Sequence, residues 1–243
     1  MFSDVFSISV VWILFWLSFA SALGLTANHT AAYFSTPGKK VGGFERWRWW
    51  ISLILQLGVF PSIVCAAAFQ SYGVLSLFQW LSASAQELPG FEHWYIYALF
   101  GAQTRDMIPR MPSGASMMLK VHHWVVVVAC VVVLFTPQGF GLFVAGSFFL
   151  ELGSAFYNLH ELFPDSVAVL VVYEATMPVS NVLALVCLPA LFRMSRLPLW
   201  LRILFAMADV GVVIGRQLKA VKTACGSTKH DRDQGRVKLL NTD

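Results

Sequence analysis

Residues 120–135 read KVHHWVVVVACVVVLF, with His122 and His123 side by side at the mouth of a long apolar run. Two kinds of chemistry use such a pair. In the first, one imidazole is a nucleophile or general base while its neighbour orients it or holds a second proton. An acyl-imidazole formed this way can pass its acyl group to an amine or hydroxyl of a lipid. In the second, the rings ligate a metal or haem, with His160 as a partner across the bundle. The i, i+4 histidine spacing that lets one helix chelate zinc is absent here. A plainer role is open too, in which both rings sit at the membrane–water interface with their polar edges wet.

Polar residues recur where the chain is otherwise apolar. In FGLFVAGSFFLELGSAFYNLHELF, residues Ser147, Glu151, Ser154, Asn158 and Glu161 follow one another at spacings of four, three, four and three. That spacing sets them on one face of a helix. The next apolar stretch repeats the device with Glu174, Pro178 and Asn181, and Asp209 lies in the last one. Serine and asparagine commonly join helices inside a bilayer. A carboxylate there is costly and must be paired, hydrated or protonated, so Glu151 and Glu174 ask for an interior site.

The elements that position these groups follow from composition. Of 243 residues, 57% are hydrophobic and 12% charged, with a mean hydropathy of +0.66. A soluble domain of this length carries far more charge. The composition describes an all-α, polytopic transmembrane helix bundle. Seven apolar stretches can be marked, at about 6–26, 50–72, 93–104, 121–137, 140–163, 166–192 and 197–215. The third is too short to span alone; it either extends into its loop or is a broken helix covered by protein. The four cysteines show no ligand spacing; Cys65, Cys130 and Cys187 read as packing residues, and Cys225 in the basic tail as a palmitoylation candidate.

Lys and Arg set the expected orientation. Lys39, Lys40, Arg46 and Arg48 follow the first stretch, and Arg105, Arg110 and Lys120 follow the third. Arg216, Lys219, Lys222, Lys229, Arg232, Arg236 and Lys238 follow the last. With about seven spans all three groups share one side, which the positive-inside rule makes cytosolic, leaving the N-terminus lumenal. Segment 73–92 on the other side carries Glu87 and Glu92, and Arg193 with Arg196 is the discordant pair. The net charge of +4 therefore speaks for membrane orientation rather than nucleic acid. The sequon Asn28-His29-Thr30 falls against the membrane or cytosol and is expected to stay unmodified. The division is 1–44 for the first helix and its basic loop, 45–215 for the membrane domain and 216–243 for a basic tail.

Depth follows from the helical rise. Measured from the cytosolic surface, Asn158 lies roughly 8 Å in, Asp209 roughly 9 Å, Glu174 roughly 12 Å and Glu151 roughly 18 Å. These groups line a cavity that opens to the cytosol, with His122 and His123 at its rim.

Four motifs in order, ALFGAQTRDMI, LKVHHWVVVV, TPQGFG and FLELGSAFYNLHELF, resemble the TLC-domain family of translocating-chain-associating, longevity-assurance and ceroid-lipofuscinosis membrane proteins. The likeness covers roughly 45–215. It implies an endomembrane bundle of about six core helices, often with an extra first helix. Ceramide synthases of this family transfer a fatty acyl group from acyl-CoA to a sphingoid base. His122 and His123 match the family's paired histidines, and Asp106 an acidic residue in the turn before them. Glu151, with Ser154 and Asn158, matches the fifth-helix stretch of the smaller members that are not ceramide synthases. The histidine–aspartate pair, further aspartate, and Glu and Lys of ceramide synthases are replaced here by FFLELGSAFYNL. Leu119 stands where the HxxHH motif of fatty-acid elongases needs histidine.

Two functions follow as expectations. One is lipid acyl transfer: His122 or His123 accepts the acyl group or acts as base, and Asp106 and Glu151 orient or charge-balance it. Ser154, Asn158, Glu174, Asn181 and Asp209 then bind substrate. Acyl-CoA is the co-substrate and no bound cofactor or metal is called for. The other is a non-catalytic lipid-composition regulator or cargo receptor that keeps the cavity as a binding pocket. Both place the chain in the endoplasmic reticulum or a related membrane, with lipids as partners and homo- or hetero-oligomers allowed. No phosphate loop or nucleic-acid module is present in the sequence.

Overall fold

A computed structural model describes residues 2–34, 40–41, 44–88, 90–107 and 117–240, with backbone only for 2–9, 118 and 222–240. Lys39, Arg110 and the side chains of Lys222, Cys225, Lys229, Arg232, Arg236 and Lys238 lie outside the described residues. The chain is helical apart from a two-rung hairpin: α1 (Phe2–Phe34), β1 (Lys40–Val41), β2 (Phe44–Glu45), α2 (Arg46–Ile54), a π-helical turn (Leu55–Val59) and α3 (Phe60–Ser71). Then follow α4 (Leu77–Ser82), α5 (Phe91–Met107), α6 (Met117–Val133), α7 (Phe140–Leu162), α8 (Val167–Val186), α9 (Leu188–Phe192) and α10 (Leu199–Leu240).

Four helical units are long and apolar enough to cross a membrane: Val10–Phe34, Arg46–Ser71, Phe140–Leu162 and Val167–Phe192. That is fewer than the seven stretches marked in the sequence. The physical reasons differ among the other three. Helix α5 carries Glu92, Gln103, Arg105 and Asp106, which dilute its apolar character. Helix α6 has 17 residues, about 26 Å of rise. Helix α10 joins an apolar first half to a basic second half. The third stretch does extend at both ends into one unbroken helix, Phe91–Met107. Helix α10 passes through position 216, where the sequence placed the start of a tail.

The exterior is strongly apolar. Val11, Trp12, Phe15 and Leu23 of α1, Val171, Val179 and Val186 of α8, and Leu204, Met207 and Ile214 of α10 all point outward and exposed. Lipid rather than water is the solvent that suits such a face. The interior is built around Phe60, Tyr95, Ile96, Leu99, Cys130, Val133, Phe140 and Val144, all nearly fully buried, with Leu17 of α1 closing one side. Helix α5 sits at the centre, against α1, α3 and α6, while α7 forms the most extensive seam, with α8.

Loops gather at one end. Arg196, between α9 and α10, donates its backbone N–H to Gln138 Oε1 (2.8 Å) and lies 3.8 Å from Glu87 Oε1. This puts one of the two discordant arginines beside the acidic segment 73–92. At the opposite end Asn28 Nδ2 donates to the Arg105 carbonyl (3.0 Å). Asn28 is 5% exposed, so its side-chain nitrogen is buried and engaged rather than offered to a glycosyltransferase.

The π turn has a local cause. Pro61 enters α3 in its first turn and brings no N–H, while its ring crowds the carbonyl four residues back. The preceding turn widens, and Phe60 N–H bonds Leu55 O, five residues away. The extra residue rotates Gln56 into the interior, where it is buried.

Helix α1 approaches α5 through small residues. A side-chain carbon on Gly101 would sit 2.6 Å from the Ala20 carbonyl oxygen, and one on Gly24 2.8 Å from the Gly101 oxygen. Close backbone approach of this kind stands in for a hydrophobic driving force inside lipid. Gly101→Leu should therefore lower stability by about 1–3 kcal/mol through overpacking. Gly58→Ala, at a glycine with nothing within 4 Å of the added carbon, should be neutral or stabilising. Unfolding curves of the two variants in detergent check the contrast.

Candidate functional site

Helices α2, α5, α6, α7, α8 and α10 and the π turn enclose a cavity of about 630 Å³. His122, His123, Asp106, Glu151, Ser154 and Asn158 all line it. Six residues chosen from the sequence thus meet in one space, contributed by α5, α6 and α7.

The carboxylate of Glu151 organises the floor. Gln56 Nε2 donates to Glu151 Oε2 (2.6 Å) and Gln103 Nε2 donates to Glu151 Oε1 (3.0 Å). Asn158 Nδ2 in turn donates to Gln56 Oε1 (2.7 Å). Glu151, Gln56, Gln103 and Asn158 are each 8% exposed or less. Each amide in this chain has its donor and acceptor ends fixed by the next group. Because Gln103 gives its N–H to the carboxylate, it presents Oε1 to His123 Nδ1. Nδ1 must therefore carry the proton, and in the neutral ring Nε2 holds the lone pair. The order is Asn158, Gln56, Glu151, Gln103, His123. This is the logic of a catalytic base held in one tautomer, with an amide inserted between acid and imidazole.

Asp106, expected to orient or charge-balance a histidine, acts on His123 through space and makes its hydrogen bonds elsewhere. It accepts from its neighbour Arg105, at 2.8 Å from Nη2 and 3.2 Å from Nε. The same Nη2 donates to Ser52 Oγ (2.7 Å), and Arg105 is 1% exposed. Asp106 thus serves a buried arginine that ties α5 to α2, and reaches the cavity from its rim.

Three other expected substrate contacts lie elsewhere. Glu174 is exposed on the outer face of α8 and absent from the cavity wall. The buried stripe of α8 runs through Tyr173, Met177, Ser180, Asn181 and Ala184, and Glu174 is set about 100° away from Tyr173 on it. Asn181 is buried in the α8–α10 seam, accepting from Arg216 Nε (3.0 Å) and donating to Gln217 Oε1 (3.1 Å). Asp209 lines a separate cavity of about 130 Å³, together with Ser147. His160 stacks on Tyr173, with ring centroids 5.4 Å apart and planes 2° from parallel. It lies outside the cavity wall, so it is no partner for the histidine pair in a metal or haem site.

Other members of the site escaped the sequence reading. Gln56 and Gln103 are single amides in apolar helices; the rule that singled out Glu151 would have reached them had it been extended from charges to amides. Arg216 and Lys219, assigned to a tail, line the cavity from α10. Lys219 Nζ rests 4.0 Å from the centroid of the Tyr157 ring, and Tyr157 donates to Glu161 one turn along α7.

The cavity has a side opening. Val121 of α6 and Met207 and Gly211 of α10 line it and are exposed on the outer surface. A side-chain carbon on Gly211 would meet nothing within 4 Å. Exposed residues thus line the cavity where α6 and α10 meet.

No protein-family model, curated protein or solved structure matches this chain.

Two predictions test the network. Gln103→Leu leaves one Glu151 oxygen and His123 Nδ1 without partners, and should cost about 1–3 kcal/mol of stability. Glu151→Leu combined with Gln103→Leu should cost less than the sum of the singles, with a coupling of about 0.5–3 kcal/mol. A double-mutant cycle by detergent unfolding reads this directly; strict additivity would show that the two residues share no network.

Proposed function

We propose that this chain is an integral membrane enzyme of the TLC type that transfers an acyl group to a lipid, with His123 at the reacting centre. The observation that carries the proposal is the contact chain from Glu151 through Gln103 to His123 Nδ1, which directs the lone pair to Nε2. A packing histidine needs no defined lone pair, whereas acyl transfer needs an unprotonated nitrogen aimed by a second group. Here Glu151 supplies the aim through Gln103.

Nε2 of His123 attacks the thioester carbonyl of acyl-CoA; the C–N bond forms, the C–S bond breaks, and the coenzyme leaves as thiolate from an acyl-imidazolium whose Nδ1 keeps its proton. A lipid amine or hydroxyl then attacks the acyl carbon, the C–N bond breaks to free the ring, and the proton the acceptor loses passes to the thiolate. His122, whose ring centroid lies 5.6 Å from that of His123, carries that proton across. Ser154 and Asn158 offer polar atoms to the acyl acceptor from the same wall.

The gap between α6 and α10 gives an acyl chain a route from the bilayer. A seven-span arrangement, N-terminus lumenal and C-terminus cytosolic, in the endoplasmic reticulum or a related membrane, goes with this reading. It is supported by the loops that gather around Arg196, by the basic residues near the other end, and by the apolar exterior.

A binding-only reading also has an observation in its favour: both Glu151 oxygens are already engaged by amides. In that case the cavity holds a lipid and performs no chemistry.

Mass spectrometry of the purified chain incubated with palmitoyl-CoA separates the two. The expected result is an acyl adduct on His123, lost in His123→Ala and much reduced in Gln103→Leu. Absence of any adduct, with unchanged membrane lipid profiles in cells carrying His123→Ala, leaves the binding reading. Gly211→Trp should close the side opening and lower the adduct yield while sparing the unfolding midpoint. An undiminished yield in that variant would mean that the chain enters by another way.

A further inference from the structure

Arg216 brings a guanidinium into the cavity wall, and each of its hydrogen-bond partners is neutral. Nε donates to Asn181 Oδ1 (3.0 Å), Nη1 to Ser154 Oγ (2.5 Å), and Nη2 to Ser180 Oγ and Met177 Sδ (both 3.2 Å). Among the described residues no carboxylate comes within ion-pair distance of it. Glu151, whose oxygens are held by the two glutamine amides, and Asp209, which lines the other cavity, act on it only through space. A charge taken from water normally requires a partner of opposite sign. Four acceptors for five N–H groups also leave one hydrogen on Nη1 without a described partner.

The surroundings are shaped to hold the group in place. A side-chain carbon on Gly153 would collide with Ser180 Oγ and with the guanidinium itself, so the glycine clears its seat on α7. Ser154 accepts from Arg216, which leaves its own O–H as a donor on the cavity surface. Lys219 lines the same wall one turn further along α10. A fixed guanidinium fork, a hydroxyl donor and an ammonium therefore line one space, while the two carboxylates of that wall are engaged, Glu151 by Gln56 and Gln103 and Asp106 by Arg105.

We infer that the cavity is built for an amphipathic anion, and that Arg216 with Ser154 binds its carboxylate or phosphate group while the apolar chain fills the remainder. This rests on the lipid-binding cavity of the acyl-transfer proposal and adds the headgroup class. A fatty carboxylate, a lysophospholipid and the phosphates of an acyl-CoA share this chemistry.

The test is equilibrium binding to the purified full-length chain in a neutral detergent, read by tryptophan fluorescence, since Trp49 lines the cavity. The ligands are palmitate, palmitoyl-lysophosphatidate and palmitoyl-CoA, with hexadecanol and monopalmitoylglycerol as neutral analogues. Inorganic phosphate and coenzyme A serve as chainless controls. Wild type should bind at least one of the three anionic amphiphiles about tenfold tighter than the neutral analogues, and which one identifies the source. Arg216→Gln should bring anionic and neutral ligands within about twofold, with Arg216→Lys intermediate. Equal affinities in wild type, or a preference that survives Arg216→Gln, would overturn the inference. Should Arg216→Gln fail to fold, Ser154→Ala decides: it must weaken the anionic ligands selectively, and an equal loss across all ligands, or none, refutes the proposal. The measurement needs no turnover. Headgroup selectivity without an acyl adduct counts against acyl transfer alone, and an adduct without selectivity counts against this inference alone.

Discussion

The bonds from two glutamine amides to one buried carboxylate hold the middle of this molecule together. Glu151 sits deep in an apolar bundle, where an uncompensated charge would cost several kcal/mol. Gln56 and Gln103 meet that cost from two other elements, so the π turn, α5 and α7 must converge at one depth. The convergence leaves little freedom in the neighbouring side chains. Asn158 is drawn to the far end of Gln56, and His123 to the far end of Gln103. One desolvated acid thereby sets the direction of three amides and the tautomer of an imidazole.

A second polar system is built on the opposite principle. Arg105 is only 1% exposed, yet it is served by Asp106, Ser52 and, through its backbone, Asn28. It joins α1, α2 and α5 at the end where the cavity begins. Arg216 lacks such an acid and makes do with hydroxyls, an amide and a thioether. Both arginines line the cavity, and the contrast between them is that Arg105 is ion-paired within the scaffold while Arg216 is not. Glu92 fills the scaffold role at the other end of α5, accepting from Trp80 Nε1 (2.8 Å).

Backbone irregularities serve these polar systems. Pro61 forces the wide turn that carries Gln56 inward, and glycines at 101 and 153 allow a helix and a guanidinium, respectively, to come close. Each feature exchanges a regular helical position for a polar contact or a tight seam elsewhere. Such departures concentrate where a fold positions chemistry.

The sequence by itself determined the helical class, the apolar exterior and a large part of the cavity wall. Those properties follow from periodicity and from the cost of polar groups in lipid, both local to one segment. The spacing of Glu151, Ser154 and Asn158 on α7 made their shared face legible, and the adjacent histidines drew notice at once. Four helices reach spanning length and apolarity where seven stretches had been marked, because α5 carries polar residues, α6 is short and α10 joins an apolar half to a basic one. Only the tertiary structure decided who partners whom. Asp106 turned to the arginine beside it, Glu174 faced outward although its spacing matched Asn181, and Asp209 fell into a separate hollow. Gln56, Gln103 and Arg216 gained their importance from groups 95, 48 and 62 positions away. One-dimensional periodicity fixes which face of a helix a residue occupies, whereas the rotation of that helix against its neighbours is set by packing and hydrogen bonding across the bundle.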